Sequence, residues 1–264
     1  MWSVGFTVKK RSSEAGAHPL SVATPARSPS TERRPCAMDL DTLANAEAGR
    51  TVASILLEIG AVNFRPQQPY TLTAGWASPV YIDCRKIISY PRARRRIIDL
   101  ATRKIERAIG FESLDSVAGG ETAGIPYAAW LADSLGLPMQ YVRKKPKGFG
   151  RMGQIEGDLS EGQRVLLVED LASDGGSKLA FVDALRRAGA QVNDTFVVFF
   201  YGAFPGATDA LAAEGITLHW LATWHDVLAV AERTAAFPED SIEGVRAFLA
   251  DPVGWSAAHG GKGA

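Results

Sequence analysis

Two adjacent acids, Glu169 and Asp170, stand between an apolar run at 165–168 and a Ser/Asp/Gly loop at 173–177. The run (Val, Leu, Leu, Val) reads as a fully buried parallel strand. Past the loop, Leu179, Val182 and Leu185 recur at helical spacing up to Gly189. Strand, acids, glycine loop and helix in that order build an anion site at the carboxyl edge of a sheet. The helix start offers unpaired N–H groups and a partial positive charge, and glycines let the backbone close on a phosphate. Carboxylates repel phosphate, so Glu169 and Asp170 must serve another part of the same ligand, either sugar hydroxyls or metal-bound water. The residues therefore imply a ligand carrying both a phosphate and a ribose. A nucleoside-triphosphate P-loop is excluded, because no Gly-Lys-Ser/Thr closes the loop. The dinucleotide fingerprint fails too, since Gly175 and Gly176 lack its glycine spacing.

Three further segments have chemical content. Arg143, Lys144, Lys145 and Lys147 crowd into five positions and are followed by glycines at 148, 150 and 153. A basic hairpin with glycine hinges suits a lid that closes over a polyanion. Gly119 and Gly120 precede Thr122 and Pro126, a turn into a helix start that allows close backbone approach to a diphosphate, with the Thr122 hydroxyl as a donor. Residues 70–85 gather Tyr70, Trp76 and Tyr81 around Gly75, Ser78 and Pro79. Such a segment serves equally as a hood over a flat heterocycle or as packing for the N-terminal part of the core.

These segments need elements to place them. Asp41 reads as the cap of a helix whose apolar positions, Leu43, Val52, Ile55, Leu56 and Ile59, run to Gly60. Residues 70–83 are strand-like and rich in turns. A helix at 91–109 gathers Ile97, Ile98, Ala101, Ile105 and Ile109 on one side, and Arg92 with Arg94, Arg95 and Arg96 forms a solvated face. Strands are expected at 116–118, 139–143, 165–168 and 196–201, with helices between the first three and after the third. This alternation predicts an α/β fold: a mostly parallel central sheet flanked by helices, with ligands at its carboxyl edge.

Composition sets the limits. At 264 residues and 46% hydrophobic content, the chain can bury one sizeable core. Its 29 Lys and Arg balance its 29 Asp and Glu, so no bulk attraction to nucleic acid is implied. Cys36 and Cys84 sit in unlike contexts, and His18, His219, His225 and His259 lack metal-ligand spacing. No apolar run approaches the length of a membrane span, so neither nucleic acid nor membrane is an expected partner and a cytoplasmic setting is the default. Residues 1–37 are rich in Ser, Pro, Arg and Ala and read as a disordered extension to a folded domain at 38–264. An over-extended start ahead of Met38 is the preferred explanation, and a transit peptide stays open.

Together the motifs resemble those of the type I phosphoribosyltransferases, and within them the orotate branch. The likeness covers about 46–255. It rests on the hood at 72–83 (LTAGWASPVYID), on 122–126 (TAGIP), on the lid at 143–148 (RKKPKG), on 154–157 (QIEG) and on the acid–glycine loop. The resemblance implies a type I phosphoribosyltransferase-like fold with a small hood and a mobile basic lid. It implies transfer of 5-phosphoribosyl from 5-phosphoribosyl 1-diphosphate (PRPP) to N1 of orotate, with Mg²⁺ held mainly by PRPP and water. It also implies a homodimer whose lids are exchanged between subunits. By the same resemblance PRPP is bound by Arg143, Lys144, Lys145, Lys147, Glu169, Asp170, Leu171, Ala172, Ser173, Asp174, Gly175, Gly176 and Ser177. Lys147 and Asp170 are then the catalytic pair, Ser173 reaches orotate, and Arg85 is a candidate for the orotate carboxylate, whose partner the motifs leave unidentified. The chain departs from the pattern in carrying Phe149 where many members have His, Thr73 where some have Lys, and 200–204 (FYGAF) where some carry an Arg. Transfer to another base, and a PRPP sensor without catalysis, are the rival readings.

Overall fold

Residues 39–148, 153–173 and 176–263 are described by a computed structural model, with the side chains of Gly176 and Ser177 left aside. Met38–Ala264 forms one unit. The expectations for residues 1–37, and those for Phe149, Asp174 and Gly175, lie outside the described residues.

The chain opens on α1 (Leu40–Glu58), whose periodic face buries Ala48, Val52, Ala53 and Leu56. Its N-cap position is Asp39 and not Asp41, which lies in the first turn and reaches Arg107 at 3.4 Å. The strand-like segment resolves into two short antiparallel pairs, β1 (Val62–Phe64) with β4 (Val80–Ile82) and β2 (Tyr70–Thr71) with β3 (Ala77–Ser78). Next comes a 3-10 turn at Cys84–Ser89, and then α2 (Pro91–Ala108) starts on its proline and buries Ile97, Ile98, Ala101 and Ile105. Proline suits a first helical position because that N–H has no intrahelical acceptor to lose.

The main sheet is built from β5 (Ser116–Gly120), β6 (Met139–Val142), β7 (Ile155–Glu156), β8 (Arg164–Ala172), β9 (Gln191–Phe200) and β10 (Thr217–Thr223), in the spatial order β10-β9-β8-β5-β6-β7. All pairings are parallel except β6 with β7. α3 (Gly124–Leu135) links β5 to β6, and α4 (Gly176–Arg187) links β8 to β9. α5 (Asp209–Ala213), α6 (Trp224–Thr234), α7 (Glu239–Ala250) and α8 (Pro252–Ala258) complete the chain. Leu166 and Val168 feed a core shared with α1, α2, α3 and α6, whereas Val165 and Leu167 feed a second core with Phe181, Val182 and Leu185 of α4. Alternate residues of a strand point to opposite faces, so a sheet covered on both sides needs the unbroken apolar run seen in β8.

Two further expectations are corrected. β8 does not stop at Val168: Glu169, Leu171 and Ala172 remain in register with Val197, Phe199 and Phe200 of β9. The neighbouring strand is itself long enough to continue the ladder, so the acids sit within the sheet edge and not beyond it. The expected helix between β6 and β8 is absent among the described residues. Pro146 and glycines at 148, 153, 157 and 162 break any helical period there, and the chain returns as β7.

Candidate active site

Glu169 and Asp170 are consecutive on a strand and so project to opposite faces. Glu169 lies against β5 and α4, and a Cβ built on Gly120 would come within 2.0 Å of Glu169 Oε1 and 2.6 Å of the Phe181 ring. The glycine at 120 therefore makes room for the acid. The sequence had suggested that it makes room for a ligand, and the close approach actually present is intramolecular. Asp170 faces the other way, toward Cys84, Arg85 and Tyr127, with which it interacts electrostatically. Tyr127 donates to the carbonyl of Cys84 at 2.6 Å and fixes that wall.

Burial sets the charge state of both acids. Glu169 is only 7% exposed, and desolvation raises its pKa from the ordinary 4.5 to about 7, against the opposing pull of Lys178. Desolvation also raises Asp170, again with Lys178 as the chief opposing charge. Lys178 is buried in the first turns of α4, where its Nζ donates to the carbonyl of Leu171. Below about pH 4.5 Glu169 is protonated whether the chain is folded or not. Between 4.5 and about 7 the folded chain holds the extra proton, so stability falls as pH rises through that window. Glu169→Gln removes this cost. The melting temperature of the variant relative to the parent should rise between pH 5 and pH 8, by about 5 °C or more at the upper end. A difference that stays flat across the window in ligand-free thermal scans would show that Glu169 is charged at little cost.

A cavity of about 640 Å³ opens over this edge, bordered by Asp83, Arg85, Glu121, Lys144, Glu169, Asp170 and Ser173 among others. The basic segment rises beside it as a hairpin: Arg143 N donates to the Gln154 carbonyl at 2.8 Å, and Lys147 N to the Gly153 carbonyl at 2.7 Å. Glu121 Oε2 accepts from Lys144 N at 2.7 Å, which ties the hairpin to the turn after β5. Among the described residues, Lys144 is the lid cation that lines the cavity. Arg143 lies 3.5 Å from Glu156, and Lys145 and Lys147 are exposed. The peptide between Glu121 and Thr122 is cis.

A second cavity of about 290 Å³ lies under the hood and shares Tyr81, Ile82, Leu171 and Ser173 with the first. Trp76 stacks on Phe204, with centroids 4.4 Å apart and planes at 19°. Thr73, Tyr201 and Phe204 also line this cavity, so two of the three departures noted in the sequence meet here. Tyr201 contributes a hydroxyl that bonds to Ser78.

The predicted residues divide between these surroundings. Glu169, Asp170, Leu171, Ser173, Lys144 and Arg85 border the larger cavity. Ala172 points into the α4-side core, and its carbonyl accepts from Tyr201 N at 2.8 Å. Gly176 and Ser177 open α4. Arg85 is held by Asp83 at 2.8 Å and lines the larger cavity, and it is not among the residues lining the hood cavity. Sequence reasoning missed Lys178 and Glu121. A lysine in a first helical turn reads as solvated, and only the tertiary position of α4 buries it.

Comparison with known proteins agrees with this geometry. Residues 86–232 match the family described as phosphoribosyl transferase domain. Over 212 residues the chain is 57% identical to an orotate phosphoribosyltransferase of Cereibacter sphaeroides, covering 80% of this chain and 91% of that one. The crystal structure of orotate phosphoribosyltransferase from Aeropyrum pernix is similar at 31% identity and a TM-score of 0.59, over 71% of this chain and 99% of the other. That of Mycobacterium tuberculosis H37Rv orotate phosphoribosyltransferase in complex with PRPP is similar at 26% identity and a TM-score of 0.52, over 70% and 98%.

Proposed function

The chain belongs to the orotate phosphoribosyltransferases of the type I phosphoribosyltransferase family, and from that premise we propose that it transfers the 5-phosphoribosyl group of PRPP to N1 of orotate. The products are orotidine 5′-monophosphate and diphosphate. The observation that carries this reading is the pair of adjoining cavities. One is bordered by charged side chains, with acids at a strand end and a helix start beyond them, and the other is walled by aromatic rings. They meet at Ser173, where a sugar bound in the first would present its C1′ to a base in the second.

In this reading the bond from C1′ to the diphosphate oxygen breaks first, leaving positive charge on the ribosyl ring. The N1–C1′ bond then forms, and the N1 proton passes to an oxygen of the departing diphosphate. The protein's task is to stabilise charge at both ends of the broken bond. Asp170 faces the ribose and steadies the cation, and Glu169 supports it from the opposite face of β8. Ser173, Asp174, Gly175, Gly176 and Ser177 take the 5′-phosphate, with the N-terminus of α4 contributing its partial positive charge. Arg143, Lys144, Lys145 and Lys147 neutralise the departing diphosphate. Mg²⁺, when bound, supplies further charge neutralisation on the diphosphate. The donors fit a hard cation held through substrate and water, with Asp170 and Glu169 as the carboxylates bordering the site.

We further propose a cytoplasmic homodimer in which each lid serves the neighbouring site. The outward placement of Lys145 and Lys147 supports this, since Lys144 is the lid cation at the chain's own cavity among the described residues. Residues 38–264 are the catalytic unit in this proposal, and residues 1–37 take no part in it. The decisive experiment is diphosphate release from PRPP and Mg²⁺. Release should depend on orotate and should not occur with uracil, adenine or hypoxanthine in its place. Release with one of those bases, or PRPP binding without turnover, would replace the assignment with one of its rivals.

A further inference from the structure

The hood cavity poses an electrostatic problem. A base bearing a carboxylate is to bind there, yet its lining offers the hydroxyls of Thr73, Tyr81, Ser173 and Tyr201, and among the described residues neither lysine nor arginine lines it. A cation does stand on its aromatic wall: Lys262 Nζ lies 4.9 Å from the centroid of the Trp76 ring. It comes from the C-terminal segment after α8, far from the hood in sequence.

That segment is built onto the hood by specific bonds. Lys262 N donates to the Gly75 carbonyl at 2.8 Å. Ser256 is fully buried, and its hydroxyl accepts from Ala77 N at 2.9 Å while donating to the Lys262 carbonyl at 2.7 Å. A Cβ on Gly261 would come within 2.2 Å of Ala77 N, so only glycine lets the two backbones lie this close. The residues on either side of Trp76 are thus tied to the tail, and the tail's one long cationic side chain is laid on the indole. Trp76 in turn stacks on Phe204.

We propose that Lys262 is a positioning residue for the base: it anchors Trp76 in the wall of the hood cavity and supplies positive charge beside a lining that has none. This rests on orotate occupying that cavity. Because the contacts of Lys262 among the described residues are with Gly75, Trp76 and Ser256, its loss should weaken base binding and leave the chemical step alone. An exposed cation on an indole contributes modestly, so the expected effect is a rise of about fivefold in KM for orotate.

The test is steady-state kinetics of Lys262→Met, Lys262→Ala and Lys262→Arg beside the parent, varying orotate and PRPP separately, with melting temperatures recorded for each. The expected result is a raised orotate KM in Lys262→Met and Lys262→Ala, recovery in Lys262→Arg, and kcat and PRPP KM within about twofold of the parent throughout. Lys262→Met keeps most of the stem's packing and so isolates the charge. An unchanged orotate KM in Lys262→Met and Lys262→Ala would overturn the proposal. So would a joint fall in kcat, PRPP affinity and melting temperature, since that marks a structural lesion. A parent protein that releases no diphosphate with orotate would instead overturn the assigned reaction, and this inference with it.

Discussion

Asp170→Asn should lower turnover by about 100-fold or more while leaving the fold intact. The substitution keeps the shape of the side chain and removes the negative charge proposed to face the ribose. Asp170 is a costly place for that charge: burial raises its pKa, with Lys178 and Arg85 among the groups that oppose the rise. A carboxylate held in such surroundings without a function would be better replaced by an amide, so the variant should be at least as stable as the parent. Combined thermal scans and turnover measurements decide the matter. Near-normal turnover in a folded Asp170→Asn protein would remove Asp170 from the mechanism and shift attention to Glu169.

The lid yields the other large effect. Lys147 is anchored through its backbone N–H to the Gly153 carbonyl, and its side chain is exposed and free to meet a polyanion. Lys147→Ala is expected to lower turnover by about 100-fold or more, because a fixed cation on the departing diphosphate acts where charge develops. Phe149 lies outside the described residues, and its part in the prediction follows from its side chain alone. An apolar ring can help exclude water but cannot give a proton, so Phe149→Ala should cost at most about tenfold. If an imidazole were required at this position, the parent would be slow and Phe149→His would gain. A gain of tenfold or more in Phe149→His, from turnover assays on all three variants, would defeat the view that the lid works by charge alone.

Much of this architecture was legible in the chain. The apolar run, the two acids, the loop and the periodic helix after it announced the site because each carries a local signal: burial on both faces, unpaired N–H groups, a helical repeat. The hairpin at 143–153 was legible for the same reason, since its charges and glycines are contiguous. What stayed hidden depends on elements meeting from a distance. Glu169 and Asp170 read as one acidic pair, and the continuation of β8 alongside β9 turns them to opposite faces. Lys178 gave no signal in the sequence, and the packing of α4 against β8 buries it. β10 and the helices after it gave no chemical signal, and the bond from Lys262 to Gly75 joins residues that nothing in the sequence relates. Arg85 was a candidate for the orotate carboxylate, and the structure places it at the border of the larger cavity.

The short strand β7 has a consequence beyond catalysis. It is the returning limb of the basic hairpin, and it closes the open side of β6 through Tyr141–Glu156 and Val142–Ile155. The segment proposed to meet the diphosphate thus also covers the outer side of β6 and leaves a two-residue strand at the edge, a shorter template for another chain. Excising residues 143–157 would therefore do more than silence the enzyme. It would bare a sticky edge, and self-association of the shortened protein could be mistaken for a catalytic defect. Exchanging charges within the hairpin keeps the two roles apart, because the edge is sealed by backbone bonds that such changes leave in place.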